Sequence, residues 1–381
     1  MGDSVIFNEN LIMKKSLFIL VILCIGCQNN TTIKSLNALD NPSVNNFTKV
    51  DVQILLIDSL SVRALAVTED ALLFAGDKGN YGSLSLLTEQ WTRNAERYDV
   101  IEKDSVLGTE NTVTKAVPFR SIAITKDYYF IMSIGSPSKL FRNNKATGFK
   151  DMVFTDVHPK AFYDSMEFWN DQEGIAMGDP TEDCLSVIVT RDGGNSWQKL
   201  SCDTLPKVLY GEAAFAASDT NIKIIGDETW IVSGGKQSRV FYSSNKGLTW
   251  EVTETPIIQG EPTQGAYTMD FYDRNRGIIY GGDYTDPTMN TNNIAITSNG
   301  GKTWNVAGNG TNDGYKSCVQ YVPNRDGKEL VAIGFTGISY SKDGGANWKA
   351  LSKESFLSFR FLNDTVAYAS GRNRIAKLIF R

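Results

Sequence analysis

The chain has 381 residues and a formal net charge of −5, with no long run of basic residues. This length allows two or three ordinary domains or one large repeat fold, and the acidic balance excludes nucleic acid from the expected partners. The sequence contains a single histidine, His158, in a polar segment before a proline. We therefore expect no histidine-dependent catalysis, no metal centre and no cofactor.

The first feature along the chain is a short hydrophobic segment near its N-terminus. Met13 and two lysines precede an apolar stretch at residues 17–25. A basic start followed by a hydrophobic stretch too short to span a bilayer is typical of a secretory signal. Residues 13–27 are therefore predicted to be a signal peptide, and residues 1–12 a wrongly assigned start ahead of Met13.

The segment ends in Cys24-Ile25-Gly26-Cys27, which resembles a relaxed bacterial lipobox with a small residue before the acceptor cysteine. The resemblance implies that Cys27 carries a lipid, although Cys24 replaces the usual leucine. It also implies export to the cell envelope, with the protein anchored to a membrane in the periplasm or at the outer membrane. Residues 28–47 are rich in Asn, Ser and Thr and are predicted to form a flexible tether.

Export would place the remaining cysteines in an oxidising compartment, where disulfides form. Cys184 opens one predicted strand and Cys202 closes the next. A hairpin that pairs Thr190 with Trp197 brings the two cysteines close together. We predict a disulfide between Cys184 and Cys202, which a slipped or diagonal register would prevent, and a free Cys318.

The most specific pattern in the chain is an eight-residue turn at residues 190–197, 243–250, 297–304 and 341–348. Each copy reads Ser or Thr, any residue, Asp or Asn, any residue, Gly, any residue, a small polar residue and Trp. The Asp or Asn oxygen can accept bonds from loop amides, Gly allows positive φ, and Trp starts the next strand with a large apolar side chain. The pattern predicts a strand, a tight turn and a second strand.

The third position of this turn is Asp in two copies and Asn in the other two. Such a position needs a hydrogen-bond acceptor and no charge, which argues against metal ligation or acid catalysis there. The third and last residues of the turns are predicted to be structural: Asp192, Trp197, Asn245, Trp250, Asn299, Trp304, Asp343 and Trp348. The turn resembles the Asp-box, or BNR repeat, of sialidase-like β-propellers.

The turn tryptophans recur at intervals of 44 to 54 residues, which fits one propeller blade per repeat. We predict an all-β fold over residues 48–381, a seven-bladed β-propeller of four-stranded antiparallel blades. A strand at residues 52–57 is predicted to complete the last blade and close the ring. The repeat motif and the blade count resemble the photosystem II assembly/stability factor family, and that resemblance implies an assembly or scaffolding role.

Alignment of the blades on their innermost strands predicts a ring of residues at one mouth of the central channel. The ring consists of Arg63, Arg120, Asp164, Glu212, Tyr267, Lys316 and Leu357, and loops on the same face add Asp77, Asp179, Lys236, Asp283 and Arg372. All of these except Leu357 are predicted to bind a ligand, because clustered opposite charges in a cleft orient ligands.

The ring favours a binding or assembly module, acting as a monomer, for a protein or glycan partner. The alternative is a glycoside hydrolase that uses Asp164 and Glu212 as acid and base, with Tyr267 as a sialidase-like nucleophile. Lys316 weakens this alternative, since lysine lacks the bidentate fork of the arginine that a sialidase would need. An oxidoreductase is not supported, because no GxGxxG motif follows a strand and opens a helix.

Overall fold

The computed structural model of the protein describes residues 46–103 and 109–381. Several predictions fall outside the described residues: the false start at 1–12, the signal peptide at 13–27, the lipid on Cys27 and the tether up to residue 45. Within the described ranges, no helix combines the length and the hydropathy that are needed to cross a membrane.

The described residues form thirty β-strands and a single short 3-10 turn at Asp77–Gly79. The strands of the N-terminal half are β1 (Val50–Val67), β2 (Ala71–Gly76), β3 (Asn80–Ser85), β4 (Trp91–Ala95), β5 (Arg97–Lys103), β6 (Glu110–Ala116), β7 (Phe119–Ile124), β8 (Tyr128–Ser133), β9 (Ser138–Asn144), β10 (Lys150–Asp156), β11 (Tyr163–Phe168), β12 (Gly174–Gly178), β13 (Ser186–Thr190) and β14 (Gln198–Lys199).

The strands of the C-terminal half are β15 (Glu212–Ala213), β16 (Ile222–Ile225), β17 (Glu228–Val232), β18 (Gly234–Gly235), β19 (Arg239–Ser243), β20 (Glu251–Glu254), β21 (Gln264–Phe271), β22 (Gly277–Asp283), β23 (Ile294–Thr297), β24 (Asn305–Ala307), β25 (Cys318–Tyr321), β26 (Leu330–Gly334), β27 (Gly337–Ser341), β28 (Lys349–Ser352), β29 (Ser358–Phe361) and β30 (Val366–Phe380).

The strands pair in antiparallel sheets, which confirms the all-β propeller with four-stranded antiparallel blades. Four sheets have four strands each: β7 to β10, β11 to β14, β16-β17-β19-β20, and β25 to β28. Two larger sheets have the orders β29-β30-β1-β2-β3-β4 and β15-β18-β21-β22-β23-β24. The hairpin of β5 and β6 forms a separate two-stranded sheet.

The predicted count of seven blades is wrong. Counted as hydrogen-bonded sheets of four or more strands, the described residues form six blades. The difference arises because β1 and β30 are long and continuous. The strand β1 pairs with β30 from Val50↔Phe380 to Ser61↔Arg372, and then with β2 from Val62↔Gly76 onward. The predicted first and last blades are therefore joined in one sheet, within which the two ends of the chain pair.

Neighbouring blades pack their faces together, so the strands in the middle of each blade are buried on both sides. Every residue of β12, β13 and β26 is buried, as sequences rich in Val, Ile, Ala and Met allow. The core reaches Phe47, whose ring is 3% exposed and lies 5.0 Å from the rings of Tyr340 and Phe380. The last residue of the predicted tether thus belongs to the packed core.

The four eight-residue turns share one hydrogen-bond pattern. The first hydroxyl accepts from the amide of the glycine in the fifth position at 2.8–2.9 Å. The third residue accepts, through Oδ1, from the amide of the seventh at 2.9–3.0 Å. Asp and Asn make the same bond, so holding the turn requires the oxygen and not the charge. The fifth-position glycines, Gly194, Gly247, Gly301 and Gly345, have φ between 77° and 92°.

Candidate binding sites at the two ends of the inner strands

Two cavities lie along the inner strands of the propeller, one towards each end. One cavity is lined by residues such as Arg63 of β1, Arg120 of β7 and Tyr267 of β21, each of which precedes the part of its strand that lines the other cavity. The other is lined by the ends of the same strands, for example Ile124 of β7 and Asp270 of β21. We call these ends the upper mouth and the lower mouth.

The upper mouth is a cavity of about 420 Å³ with a basic and aromatic lining. Five of the eleven predicted ligand-binding residues line it: Arg63, Arg120, Asp179, Tyr267 and Arg372. The other aromatic lining residues are Phe162, Phe215, Tyr284, Tyr315 and Phe335. Among the described lining residues, three arginines therefore face a single carboxylate, and the cavity favours an anionic ligand.

The arginines of the upper mouth are only partly neutralised by the protein. Nη1 of Arg63 lies 3.4 and 3.5 Å from the carbonyl oxygens of Ala216 and Ala217, while its buried Nε has no partner among the described residues. Burial lowers the pKa of Arg63, with Arg372 adding to the effect. Burial and then repulsion from Arg63 lower the pKa of Arg120 to about 10. A bound carboxylate would relieve both effects.

The aromatic wall holds its shape through ring contacts. Tyr267 stacks on Phe215 with ring centroids 3.8 Å apart, and it meets Tyr315 edge to face at 4.8 Å. Its hydroxyl donates to the carbonyl of Thr263 at 2.7 Å. Burial raises the pKa of Tyr267 far above its ordinary value. This tyrosine is thus a neutral wall residue with an occupied hydroxyl, which is the opposite of an activated nucleophile.

A second cavity of about 530 Å³ adjoins the upper mouth and shares Phe335 and Arg372 with it. Its walls include Ile54 and Ile57, which are 42% and 78% exposed. Arg374 also lines it. The basic pocket is therefore continuous with a groove whose apolar side chains have no cover among the described residues.

Asp164 lies buried next to the upper mouth but does not line it. Its side chain is 0% exposed, and neither carboxylate oxygen has a hydrogen-bond partner among the described residues. Burial, and then repulsion from Asp179, hold its pKa well above the ordinary range. Burial also raises the pKa of Asp179, whose Oδ1 accepts from the amide of Ala214 at 2.8 Å.

Glu212 does not occupy the predicted position on an inner strand. It lies in the two-residue strand β15, whereas the inner strand of that blade is β16. Arg239 donates to both of its oxygens, at 3.0 and 2.6 Å, and Ser233 and the amide of Leu209 also donate to it. The alignment failed because residues 214–221 separate β15 from β16. The carboxylate of Glu212 is committed to a structural ion pair.

The other four predicted ligand-binding residues also stand away from the upper cavity, each with its own contact. Oδ1 of Asp77 accepts from the amide of Ser61 at 2.7 Å, and Asp283 accepts from the amide and hydroxyl of Thr285. The ammonium of Lys236 lies over the ring of Tyr210.

Lys316, the last of these four, is fully buried and donates to the carbonyl of Gly337 at 3.1 Å. Burial lowers the pKa of Lys316 to about 8. The buried Asp164, the ion-paired Glu212 and the hydrogen-bonded Tyr267 therefore do not form a paired-carboxylate site with a free nucleophile.

The structure joins Cys184 and Cys202 in a disulfide with their Cα atoms 5.4 Å apart, and leaves Cys318 free and buried. The bond does not lie across a regular hairpin, because β14 ends at Lys199 and Cys184 pairs instead with Lys207. It therefore fixes the loop that leads from β14 to β15 and on to the wall of the upper mouth.

The lower mouth is a cavity of about 540 Å³ that the sequence analysis did not predict. Its charged lining residues are Glu167, Asp219, Lys223, Asp270 and Arg360. A signal for it was present in the sequence, because Glu167, Asp270 and Arg360 each follow a predicted ring residue by three positions. The sequence-based prediction covered only one end of the inner strands.

No protein-family model matches the sequence, and no curated protein matches it. Solved structures with a similar fold include YCF48 bound to D1 peptide, with a TM-score of 0.61 at 12% identity, covering 88% of this chain and 98% of that one. YCF48 from Cyanidioschyzon merolae has a TM-score of 0.57 at 12% identity, with 86% and 98% covered. The RRP9 WD40 repeats have a TM-score of 0.57 at 11% identity, with 87% and 98% covered.

These similarities establish the fold and nothing finer. The chain has a β-propeller fold like that of YCF48 and of WD40 proteins. At 11 to 12% identity, the site residues of those proteins do not transfer to this chain.

Proposed function

We propose that the protein is a binding or assembly module that holds an acidic polypeptide segment at its upper mouth. The observation that carries the proposal is the convergence of Arg63, Arg120 and Arg372 on one cavity that has Asp179 as its single lining carboxylate. Arginine suits this role because its planar fork binds carboxylates with two parallel hydrogen bonds.

The adjoining groove favours a polypeptide over a free small anion. A segment that places a carboxylate among the arginines can lay an apolar side chain against Ile54 and Ile57, which are exposed beside the pocket. Burial of such a side chain would add affinity that a small anion cannot gain. The similarity in fold to YCF48, which was solved with a bound D1 peptide, also supports a polypeptide ligand.

Export and anchoring are part of the proposal. A lipid on Cys27 would hold the propeller at a membrane of the cell envelope, where an assembly module meets its partners. The change Cys27→Ser would then release the protein from the membrane fraction. The aromatic wall of Tyr267, Tyr284 and Tyr315 would also suit a sugar ring, so a glycan is the second candidate ligand.

The test uses the full chain and a fluorescein-labelled twelve-residue peptide that contains Asp, Glu, Leu and Ile. A matched peptide carries Asn and Gln in place of the acids. We expect the acidic peptide to bind and the neutral one to bind at least about tenfold more weakly, with the preference reduced at high salt. Fluorescence anisotropy measures both affinities, and an array of neutral and sialylated glycans is titrated in parallel.

The double change Arg63→Gln and Arg120→Gln should lower the affinity for the acidic peptide by about thirtyfold or more, since each change removes a charged partner of the ligand. Arg274→Gln is the matched control, because Arg274 is 63% exposed and pairs with Glu228 outside the upper mouth. Equal binding of the acidic and neutral peptides, or full binding by the double variant, would contradict the proposal. Binding of glycans alone would indicate that the ligand of the upper mouth is a glycan, the second candidate.

A further inference from the structure

The lower mouth has no part in the proposed function, yet it is a cavity of about 540 Å³. Residues of β1, β7, β11, β16, β21, β25 and β29 line it. Its accessible lining is mostly polar, and Met166 and Met269 contribute little to it because both are buried. A cavity that gathers several charged side chains is a candidate site for a charged ligand.

Most charged groups of the lower mouth are already matched within the protein. Nζ of Lys223 lies 2.7 Å from Oδ1 of Asp270, whose Oδ2 accepts from the amide of Tyr321 at 2.8 Å. Arg360 donates to the carbonyl oxygens of Ser218 and Asp219 at 3.0 and 2.9 Å. These three side chains therefore have partners that hold their charges in place.

The carboxylate of Asp219 is also committed. Its two oxygens accept from the backbone amides of Ile122 at 2.8 Å and Met166 at 3.2 Å. These bonds link the inner strands β7 and β11 to the start of the next blade. Asp219 thus has a structural role in holding neighbouring inner strands together.

Glu167 is the exception among these groups. Its side chain lies half-buried in the lower mouth, and within the described residues it forms no hydrogen bond or ion pair. Burial raises its pKa to about 7; Lys223 and Arg360 oppose this shift, while Asp270 and Asp219 add to it. A carboxylate without a partner in such a place is costly to the fold, and a cation would satisfy it.

Three carboxylates oppose two cations in the lining, so the charge balance favours a positive ligand. We propose that the lower mouth binds an organic cation, whose ammonium or guanidinium group pairs with the carboxylate of Glu167. Such a group is the head of a free amine or of a lysine side chain on a partner.

The full chain is titrated with n-butylammonium and with n-butanol, which has the same alkyl chain and no charge. A second pair of probes is a blocked pentapeptide with a central lysine and its norleucine counterpart. Ligand-observed NMR gives the affinities at pH 8. We expect each cationic probe that fits to bind at least tenfold more tightly than its neutral counterpart. Binding of butylammonium alone would indicate a free amine, and binding of the lysine peptide would indicate a partner's side chain.

Glu167→Gln should lower cation affinity at least tenfold, whereas Glu251→Gln, at an exposed carboxylate on β20, should leave it unchanged. The double change Arg63→Gln and Arg120→Gln at the upper mouth should also leave it unchanged, which separates this proposal from the proposed function. Failure of both cations to bind, or retention of their binding by Glu167→Gln, would overturn the proposal.

A second readout requires no variant. Burial raises the pKa of Glu167, and likewise that of Asp219, to about 7, so cation binding at the lower mouth of the wild-type chain should release protons, and affinity should rise between pH 6 and pH 8. Calorimetry at pH 7 in two buffers with different ionisation enthalpies measures this release. Binding with no proton release and no pH dependence would also overturn the proposal.

Discussion

The upper and lower mouths are cavities built from the same inner strands, and they carry opposite charge. At the upper mouth, Arg63, Arg120 and Arg372 face Asp179. At the lower mouth, three carboxylates face Lys223 and Arg360. The two ends of one short strand thus contribute to two different electrostatic surfaces. A closed ring of strands can therefore offer two separate sites, and a ligand of one charge should discriminate strongly between them.

Some buried charges at the two mouths stabilise the fold, whereas others have no partner in the described part of the chain and are available to a ligand. Glu212 is fully surrounded by donors, while Glu167 has no partner among the described residues. Both are glutamates with limited exposure, so residue type and burial do not distinguish them. The distinction lies in whether the bonding capacity of each carboxylate is met within the protein.

The largest expected effect comes from breaking the structural pair beside the upper mouth. Glu212→Ala would leave Arg239 buried without its carboxylate, since the two side chains are 0% and 9% exposed. The loss of one partner of a buried pair costs about 3 to 5 kcal/mol of unfolding free energy. Urea denaturation of the variant measures this loss. An unchanged unfolding free energy together with lost peptide binding would make Glu212 a site residue after all.

Next in size is the effect of reducing the disulfide. Closing a loop of 18 residues between Cys184 and Cys202 stabilises the fold by about 3 kcal/mol in the chain-entropy view. The loop leads to Ala214 and Ala216, which line the upper mouth. We expect Cys184→Ser with Cys202→Ser to lower the melting temperature and to weaken the acidic peptide while sparing cation binding. Equal losses at both mouths would show that the bond supports the whole ring.

A smaller effect of opposite sign is expected from Glu167→Gln. The folded chain raises the pKa of Glu167 from 4.5 to about 7, so its contribution to stability is fully present below pH 4.5 and is lost as the pH rises through 7. Glutamine removes that loss. The variant should match the wild type at pH 4 and exceed it by about 2 kcal/mol at pH 8, after allowance for partial exposure.

Urea denaturation at the two pH values tests this difference, with Glu251→Gln as the control at both. A variant that is less stable than the wild type at pH 8 would show that Glu167 has a stabilising partner. A gain in stability with loss of cation binding would mark Glu167 as a residue retained for a ligand.

The repeated turn made the fold predictable from sequence. Its hydroxyl, its Asp or Asn oxygen and its glycine specify one local geometry, and four copies at regular intervals define a propeller. The blade count was not predictable in the same way, because the pattern does not show that β1 and β30 are long continuous strands that join the predicted first and last blades in one sheet. Whether sheets remain separate depends on the continuity of such strands, which involves pairing between residues far apart in sequence.

The lining of the upper mouth was predictable where the strand register held. Arg63, Arg120 and Tyr267 were placed by counting along regular strands, and they line the upper mouth. Glu212 was misplaced because an irregular segment precedes β16, so the count started too early. The lower mouth was missed because side chains three positions further along the same strands were not considered. Glu167 differs from the other carboxylates because it has no hydrogen-bond or ion-pair partner among the described residues. Such partners depend on tertiary contacts that the sequence does not reveal.

The most direct test of two independent sites is a crossed titration of the acidic peptide and n-butylammonium. Each ligand is titrated into the wild type, into Glu167→Gln and into the Arg63→Gln, Arg120→Gln double variant. We expect the double variant to lose binding of the peptide only, and Glu167→Gln to lose binding of the cation only. We also expect that saturation with one ligand leaves the wild-type affinity for the other within about twofold, well under a typical coupling energy. Loss of both ligands in either variant, or competition between them on the wild type, would contradict the presence of two independent sites.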